Sequence, residues 1–163
     1  MALFENKNVI VTGGGRGIGK EVALDFASKG ANVAVSARSK DQLNQTVAEI
    51  EKFGAEGFAI PADLSTIEGI RSCADTFLDR FGRCDVLICN AGMTQVASIV
   101  EMDIERAKKL LDLNIMGYYG MIKFLVPNMI ENQAGAIIMT SSVQGNVFYP
   151  PKKAAYSASK AAV

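Results

Sequence analysis

The sequence of 163 residues contains no histidine. This absence excludes His-based catalytic triads and most catalytic zinc sites, so any general acid or base must be Tyr, Lys, Asp, Glu or Cys. Cysteine is scarce: Cys73, Cys84 and Cys89 form no CxxC pair, which argues against a disulfide framework or a zinc site. We therefore expect no metal, and we predict that the cysteines are small buried apolar residues without a catalytic role.

Net charge is also missing, because Lys+Arg and Asp+Glu number 17 each. Without a basic run or an acidic tail, nothing predicts binding to nucleic acid or to a membrane surface. No apolar run approaches the roughly 20 residues of a membrane span, and the first residues lack the pattern of a secretory signal. These absences predict a reduced, cytoplasmic protein, folded as one domain over residues 1–163, whose partner is a small molecule.

Short apolar, β-branched runs alternate with amphipathic segments along the chain. The runs predict five strands, at Lys7–Thr12, Asn32–Ala37, Gly57–Pro61, Asp85–Cys89 and Ala134–Thr140. The segments predict helices at Lys20–Lys29, from a Ser39 cap to about Phe53, from Ser65 or Thr66 to Phe81, from Asp103 to about Ile130, and from about Ala154. Such alternation indicates a doubly wound parallel sheet with helices on both faces, a three-layer α/β/α fold.

A glycine-rich segment, Thr12–Gly19, joins the first strand to the first helix. Glycine there permits positive φ and lets a pyrophosphate approach the main chain, while the start of the helix offers free N–H groups. Because the segment opens a βαβ unit, it indicates a dinucleotide site, and a tight turn without a ligand is the alternative.

The end of the second strand indicates which dinucleotide binds. An acidic residue there would hold a ribose 2′-OH, whereas an arginine accommodates a 2′-phosphate. The strand is followed by Arg38 rather than by a carboxylate, and Arg16 of the glycine-rich segment projects toward the same region. Two guanidinium groups favour NADP(H), with NAD(H) as the alternative; a solvated surface Arg38 is the plain structural interpretation.

Taken together, the motifs resemble those of the short-chain dehydrogenase/reductase family in its single-domain branch. Thr12–Gly19 matches TGxxxGxG, Asn90–Gly92 is similar to NNAG with Cys89 in place of the first Asn, and Tyr156 with Lys160 matches YxxxK. The resemblance implies a Rossmann-type sheet with the strand order 3-2-1-4-5. Besides Tyr156 and Lys160, the nucleotide-binding residues that it implies are Gly13, Gly15, Arg16, Gly17, Ile18, Gly19, Arg38, Asp63, Leu64, Asn90, Ala91 and Gly92.

The resemblance also implies a catalytic set of Asn114, Ser142, Tyr156 and Lys160. Tyr156 is the expected acid/base, and the Lys160 ammonium, one helical turn away, would favour its phenolate form and bind the nicotinamide ribose. Ser142 would donate to the substrate oxygen, and Ser141 is the alternative for that role. Asn114 would hold a water that links Lys160 to solvent.

We therefore expect an oxidoreductase that passes a hydride between NADP(H) and a carbonyl or alcohol, such as a 3-oxoacyl thioester, a sugar or polyol, or a steroid. A non-catalytic dinucleotide-binding sensor is the main alternative. An isomerase or lyase that uses bound cofactor is less favoured by the glycine spacing.

The sequence stops soon after the YxxxK motif, at Val163. Because the resemblance implies two further strands beyond this point, we expect a fragment or a partial record of a longer protein. Its fifth strand would then form an uncovered apolar edge, which predicts self-association and little turnover for the isolated chain. In full-length form, the resemblance implies a homo-oligomer, a tetramer or a dimer, assembled through the long helix and the YxxxK helix.

Overall fold

The computed structural model describes residues 3–147 and 151–163. Its strands are β1 (Asn8–Thr12), β2 (Asn32–Ala37), β3 (Gly57–Pro61), β4 (Val86–Cys89) and β5 (Ala136–Met139). Its α-helices are α1 (Gly17–Ser28), α2 (Lys40–Glu51), α3 (Ile67–Phe81), α4 (Ile104–Leu111), α5 (Gly117–Glu131) and α6 (Ala154–Ala162). A π-turn (Asp112–Met116) and a short 3₁₀ helix (Val143–Gly145) complete the regular elements of this part of the chain.

All strand pairs are parallel, and the order across the sheet is β3-β2-β1-β4-β5. Strand β1 is central, with Val9 opposite both Val33 of β2 and Val86 of β4. The predicted fold class and strand order are confirmed. In a sheet of this kind the strand order reverses beside β1, and ligands bind at the carboxyl ends of the strands at that point.

The core lies on both faces of the sheet, because successive strand residues point to opposite sides. Val9 and Val11 of β1 pack with Leu43 and Ile50 of α2 on one face. Residues of the other face, which α3 and α5 cover, include Ile10, Phe77, Leu87, Met121 and Leu125. Strands β1, β2 and β4 are therefore buried on both sides, and they fix the positions of the loops that follow them.

Side-chain caps start three of the helices where the sequence predicts them. The hydroxyl of Ser39 accepts from the Gln42 N–H at the start of α2, and the Thr66 hydroxyl accepts from Gly69 N–H at the start of α3. Thr66, not Ser65, is thus the cap of α3. These caps satisfy N–H groups that have no partner within the helix.

The predicted long helix from Asp103 to about Ile130 is interrupted. Asp103 caps α4 as expected, but the π-turn at Asp112–Met116 separates α4 from α5, and the Gly117 N–H bonds to the Asp112 carbonyl. A π-turn adds a residue to one helical turn, and such insertions are frequent at functional sites. Apolar periodicity spans both helices, which is why the sequence predicts one helix.

Strand β5 is shorter than the predicted Ala134–Thr140, because the Ala134 N–H bonds back to the Met129 carbonyl at the end of α5. Its apolar residues are partly exposed, with Ile138 at 52 % and Met139 at 44 %. Among the described residues, none of the helices has both the length and the apolar character needed to cross a membrane.

Candidate active site

A cavity of about 810 Å³ opens at the carboxyl ends of the central strands. Each nucleotide-binding residue predicted in the glycine-rich segment and after β2, β3 and β4, from Gly13 to Gly92, lines this cavity. Sequence reasoning missed six further lining residues, namely Ser36, Ala37, Ser39, Gln42, Ala62 and Leu113. Most of these follow or end β2 and β3, so the shared edge of a parallel sheet was the signal that could have found them.

Two features of the glycine-rich segment need glycine. Gly13 and Gly17 have φ values of +69° and +56°, which residues with a side chain rarely adopt. A Cβ on Gly19 would collide with the Gly13 carbonyl oxygen and lie 2.5 Å from Asn90 Nδ2. The segment therefore turns tightly around its own backbone, and Arg16 and Ile18 supply the side chains of the cavity wall at the start of α1.

Helix α1 differs from α2, α3 and α4 at its N-terminus. Arg16, its N-cap residue, makes no side-chain capping bond, and the first turn holds no acidic residue. Each of the other three helices has both a side-chain cap and an acid in its first turn. The positive end of the α1 dipole is thus unneutralised by the protein and borders the cavity, which is how helices bind phosphate groups.

Thr12, at the end of β1, links β1 to the end of β4 and the residues that follow it, beneath the cavity. Its hydroxyl oxygen accepts from the N–H groups of Asn90 at 2.9 Å and Ala91 at 3.0 Å, and it donates to the Ile88 carbonyl at 3.2 Å. The Asn90 side chain returns a bond to the Thr12 carbonyl at 3.1 Å. Thr12 is 1 % exposed and was not predicted as a site residue, although it opens the TGxxxGxG pattern.

Positive charge lines the rim of the cavity. Arg16 and Arg38 are both exposed there. Partial burial raises the pKa of Asp63, but hydrogen bonds from Ser65 and the charges of Arg38 and Lys109 outweigh it, so the pKa lies below its ordinary value. Arg38 and Asp63 thus place a guanidinium and an ionised carboxylate at one end of the cavity.

Asn114 lies in the π-turn and is fully buried. Its Oδ1 accepts from the Met93 N–H at 2.9 Å, while Nδ2 donates to the Met93 carbonyl at 3.0 Å and to the Ser159 hydroxyl at 2.9 Å. Both amide hydrogens are therefore used. The side chain joins the segment after β4 to α6 through Ser159, a residue that the motifs did not single out.

The two serines after β5 differ in how their hydroxyl groups are engaged. Ser141 donates its hydrogen to the Lys160 carbonyl at 2.7 Å. Ser142 Oγ accepts from the Gln144 N–H at 3.3 Å and caps the 3₁₀ helix, and within the described residues its hydroxyl hydrogen makes no hydrogen bond.

Lys160 and Tyr156 share α6, as predicted, but the ammonium is engaged elsewhere. Lys160 Nζ donates to the Thr140 carbonyl at 2.6 Å and lies 3.4 Å from the Tyr118 hydroxyl. Burial lowers the pKa of Lys160. Tyr156 is half-buried, and within residues 3–147 and 151–163 no hydrogen bond joins its hydroxyl to Lys160 or Ser142.

The three cysteines are buried, as the sequence suggested. Burial raises the pKa of Cys73 to about 11 and, with a contribution from Asp85 in the case of Cys84, the pKa values of Cys84 and Cys89 to about 12. Because the thiolate is the reactive form, these thiols are inert near neutral pH. The described residues contain no group of three or more His, Cys, Asp or Glu able to hold a metal ion.

Comparisons with known proteins converge on one family. The family model described as short chain dehydrogenase matches residues 7–163. A 3-oxoacyl-(acyl-carrier-protein) reductase, FabG, of Staphylococcus epidermidis is 37 % identical over 159 residues, which cover 97 % of this chain and 65 % of that protein. The chain thus spans 65 % of the length of this curated relative.

Solved structures with nucleotides bound are similar throughout the chain. A metagenomic short-chain oxidoreductase in complex with NADP has a TM-score of 0.93 at 33 % identity, covering 98 % of this chain and 72 % of that one. An NAD⁺-bound xylitol dehydrogenase has a TM-score of 0.92 at 29 % identity, covering 98 % and 62 %. Since one neighbour carries NADP and the other NAD⁺, the cofactor preference of this chain has to be argued from its own residues.

Proposed function

This chain belongs to the short-chain dehydrogenase family, and from that premise we propose that it transfers a hydride between NADP(H) and the carbonyl or alcohol group of a small molecule. The observation that carries the proposal is the cavity at the carboxyl ends of the central strands, bordered by the glycine-rich segment and the uncapped start of α1. The shape and the charge of this cavity suit the nicotinamide dinucleotides that the family uses as cofactors.

The residues present fit a dinucleotide. Gly13 and Gly19 pack too closely against Asn90 and Ala91 after β4 for a Cβ, whereas a Cβ at Gly17 would meet nothing within 4 Å, so a pyrophosphate can approach the main chain at Gly17. The N–H groups at the start of α1 would bind its oxygens, and Asp63 and Leu64 would border the adenine end. A nicotinamide cofactor bound in this way supplies the hydride, and the protein supplies placement and proton transfer.

Two arginines support a preference for NADP(H). Arg16 and Arg38 both line the cavity, and Ser36 and Ala37 at the end of β2 carry no carboxylate that would repel a 2′-phosphate. A phosphate between two guanidinium groups gains charge-assisted hydrogen bonds that a ribose hydroxyl would not gain. NAD(H) remains the alternative cofactor.

Proton transfer is assigned to Tyr156. In the direction of reduction its hydroxyl gives a proton to the substrate oxygen, and in oxidation it takes one back. Ser142 orients that oxygen, because its hydroxyl hydrogen makes no hydrogen bond within the described residues; Ser141 is unsuitable, because its hydrogen is bonded to the Lys160 carbonyl. The Lys160 ammonium supplies a positive charge, which favours the phenolate form of Tyr156.

Asn114 takes a structural part in this proposal. With both amide hydrogens bonded, its side chain holds α6 against the segment after β4 and so fixes the helix that carries Tyr156 and Lys160. A water that links Lys160 to solvent, as expected, would have to bond to atoms other than the two amide hydrogens of Asn114.

The first substrates to test are 3-oxoacyl thioesters, since the staphylococcal relative is named for that activity, and polyols come next because of the xylitol dehydrogenase. We also propose assembly of identical subunits. The α5 region supports it with exposed apolar side chains, Met116 at 51 %, Tyr119 at 61 % and Ile130 at 70 %.

The test is a fluorescence titration of the intact protein with NADPH and with NADH, followed by turnover assays on those two substrate classes. We expect tighter binding of NADPH and oxidation of NADPH in the presence of a carbonyl substrate. If neither nucleotide binds, the proposal is wrong. If nucleotide binds but no carbonyl or alcohol is turned over, the non-catalytic sensing protein is the better explanation.

A further inference from the structure

Tyr118, near the start of α5, lies beside Lys160 in the interior of the protein. The two side chains are 3 % and 5 % exposed. Lys160 Nζ is 3.4 Å from the Tyr118 hydroxyl and 5.3 Å from the centroid of its ring. The same hydroxyl reaches the Thr140 carbonyl, at 3.4 Å, which is the acceptor of the shorter 2.6 Å bond from Lys160.

A buried ammonium needs partners that replace water. Burial lowers the pKa of Lys160, and within the described residues no ion pair to a carboxylate offsets its loss of solvent. The ammonium therefore relies on neutral groups, namely the Thr140 carbonyl oxygen together with the hydroxyl and the ring face of Tyr118. An aromatic face within about 6 Å attracts a cation, and the attraction grows as water is removed.

Among the residues that the structure describes, no other ionisable group takes this role. Near Tyr118 lie Tyr156 of α6 and Cys89 of β4, whose thiol is protonated near neutral pH. The 3₁₀ helix that packs against α6 carries no ionisable side chain. The ionisable residues of α4 and the π-turn, which also pack against α6, make no hydrogen bond or ion pair with Lys160 within the described residues: Glu105, Arg106, Lys108, Lys109 and Asp112.

Resting on the proposed function, we infer that Tyr118 is a positioning residue, whose hydroxyl and ring hold the Lys160 ammonium against the Thr140 carbonyl and stabilise its charged form. Tyr118 acts through Lys160 and not as an acid or base itself. Burial, with smaller contributions from Cys89 and Tyr156, raises the pKa of Tyr118 above its ordinary value, so it stays a neutral hydroxyl.

The test measures Lys160 directly. Lysines of the intact protein are labelled with ¹³C at Cε, the Lys160 signal is assigned with Lys160→Arg, and its titration is followed by NMR. Tyr118→Phe removes the hydroxyl but keeps the ring and the volume. Because a cation loses an acceptor, we expect the titration midpoint of Lys160 to fall by about half a pH unit. Tyr118→Leu, which removes the ring as well, should lower it further.

Tyr119→Phe is the matched control, because the neighbouring tyrosine is 61 % exposed and, within the described residues, makes no hydrogen bond or cation–π pair with Lys160. It should leave the midpoint unchanged. A midpoint that is the same in wild type and Tyr118→Phe, or that moves equally in both Phe variants, overturns the inference.

The readout also separates this inference from the proposed function. If the protein turns over a carbonyl substrate, the alkaline limb of the kcat profile of Tyr118→Phe should move to lower pH together with the Lys160 midpoint. A midpoint shift in a protein without turnover would reject the proposed function and keep the role of Tyr118. Turnover without a shift of the Lys160 midpoint would reject the role of Tyr118 and keep the proposed function.

Discussion

Under the proposed function, the choice of nucleotide should depend most on Arg38, because Arg38 follows β2 and lines the cavity where a 2′-phosphate would lie. We expect Arg38→Leu to weaken NADPH binding about tenfold while NADH binding changes little, since only the phosphate loses a charge-assisted bond. Fluorescence titration with both nucleotides measures the two dissociation constants.

The matched control is Arg71→Leu. Arg71 stacks over Phe124, 4.6 Å from the ring centroid, and does not line the cavity. Equal losses for NADPH and NADH in Arg38→Leu would contradict the assignment of a 2′-phosphate to this position.

Tyr156 is the residue that separates an enzyme from a nucleotide-binding protein. Tyr156→Phe removes the proton donor and keeps the ring, so kcat should fall by at least about a hundredfold with NADPH affinity nearly unchanged. Steady-state kinetics and a nucleotide titration on the same preparation check both parts. Full turnover in this variant would show that the proton comes from another group.

Residue by residue, the sequence predicted the lining of the cavity better than the polar contacts beneath it. The residues from Gly13 to Gly92 could be placed because each follows the carboxyl end of a strand. Tyr118 and Ser159 could not, because their partners lie 42 and 45 positions away in the chain and depend on how α5 and α6 pack. Lys160 was expected near Tyr156, and its bond to the Thr140 carbonyl follows from the same packing.

The turn from β1 into α1 is the element whose shape is most restricted. Gly19→Ala would place a Cβ against the backbone oxygen of Gly13, which cannot move without displacing the turn. We expect a stability loss of about 2 kcal/mol, together with weaker nucleotide binding. Urea denaturation and NADPH titration measure the two effects.

Gly15→Ala tests whether the effect is specific to that contact. Gly15 has no positive φ, and its Cβ would lie 3.1 Å from the Cβ of Gln42, a contact that a shift of a few tenths of an ångström relieves. It should therefore be milder than Gly19→Ala. Equal stability loss in both variants would mean that the segment rejects any side chain.

The interrupted helix shows the limit of periodicity. The apolar spacing from Asp103 to Ile130 predicts one helix, whereas the structure inserts a π-turn that turns Asn114 toward Met93 and Ser159. A single extra residue in a turn leaves apolar residues on both sides of it in helical spacing. Long-range hydrogen bonds of Asn114 accompany the insertion, and the local sequence does not predict them.

At the scale of the whole molecule, the alternation of strands and helices was enough to predict the parallel sheet and its order. The apolar strands allow burial on both faces, and right-handed crossovers leave few arrangements for such a chain. Strand β5 lies at one edge of the described sheet, and its apolar side chains are exposed.

A polypeptide of these 163 residues alone should self-associate through the exposed face of β5. Ile138→Lys should shift it toward the monomer, because Ile138 is 52 % exposed and a charge opposes strand pairing. Size-exclusion chromatography with light scattering gives the masses. Ile104→Lys, which adds the same charge at an 80 % exposed site on α4, should leave them unchanged. A monomeric wild-type polypeptide at high concentration would be the contrary result.

The uncapped start of α1 carries a consequence for how long the folded protein survives. The start of α1 has no capping side chain, so an anion that binds there must come from a ligand. Binding of that ligand and folding of the protein are therefore thermodynamically linked. At a hundred times the dissociation constant a ligand adds about 2.7 kcal/mol to the folded state. Resistance to heat and to proteases should therefore track the nucleotide supply, and starvation for cofactor would shorten the lifetime of the protein itself.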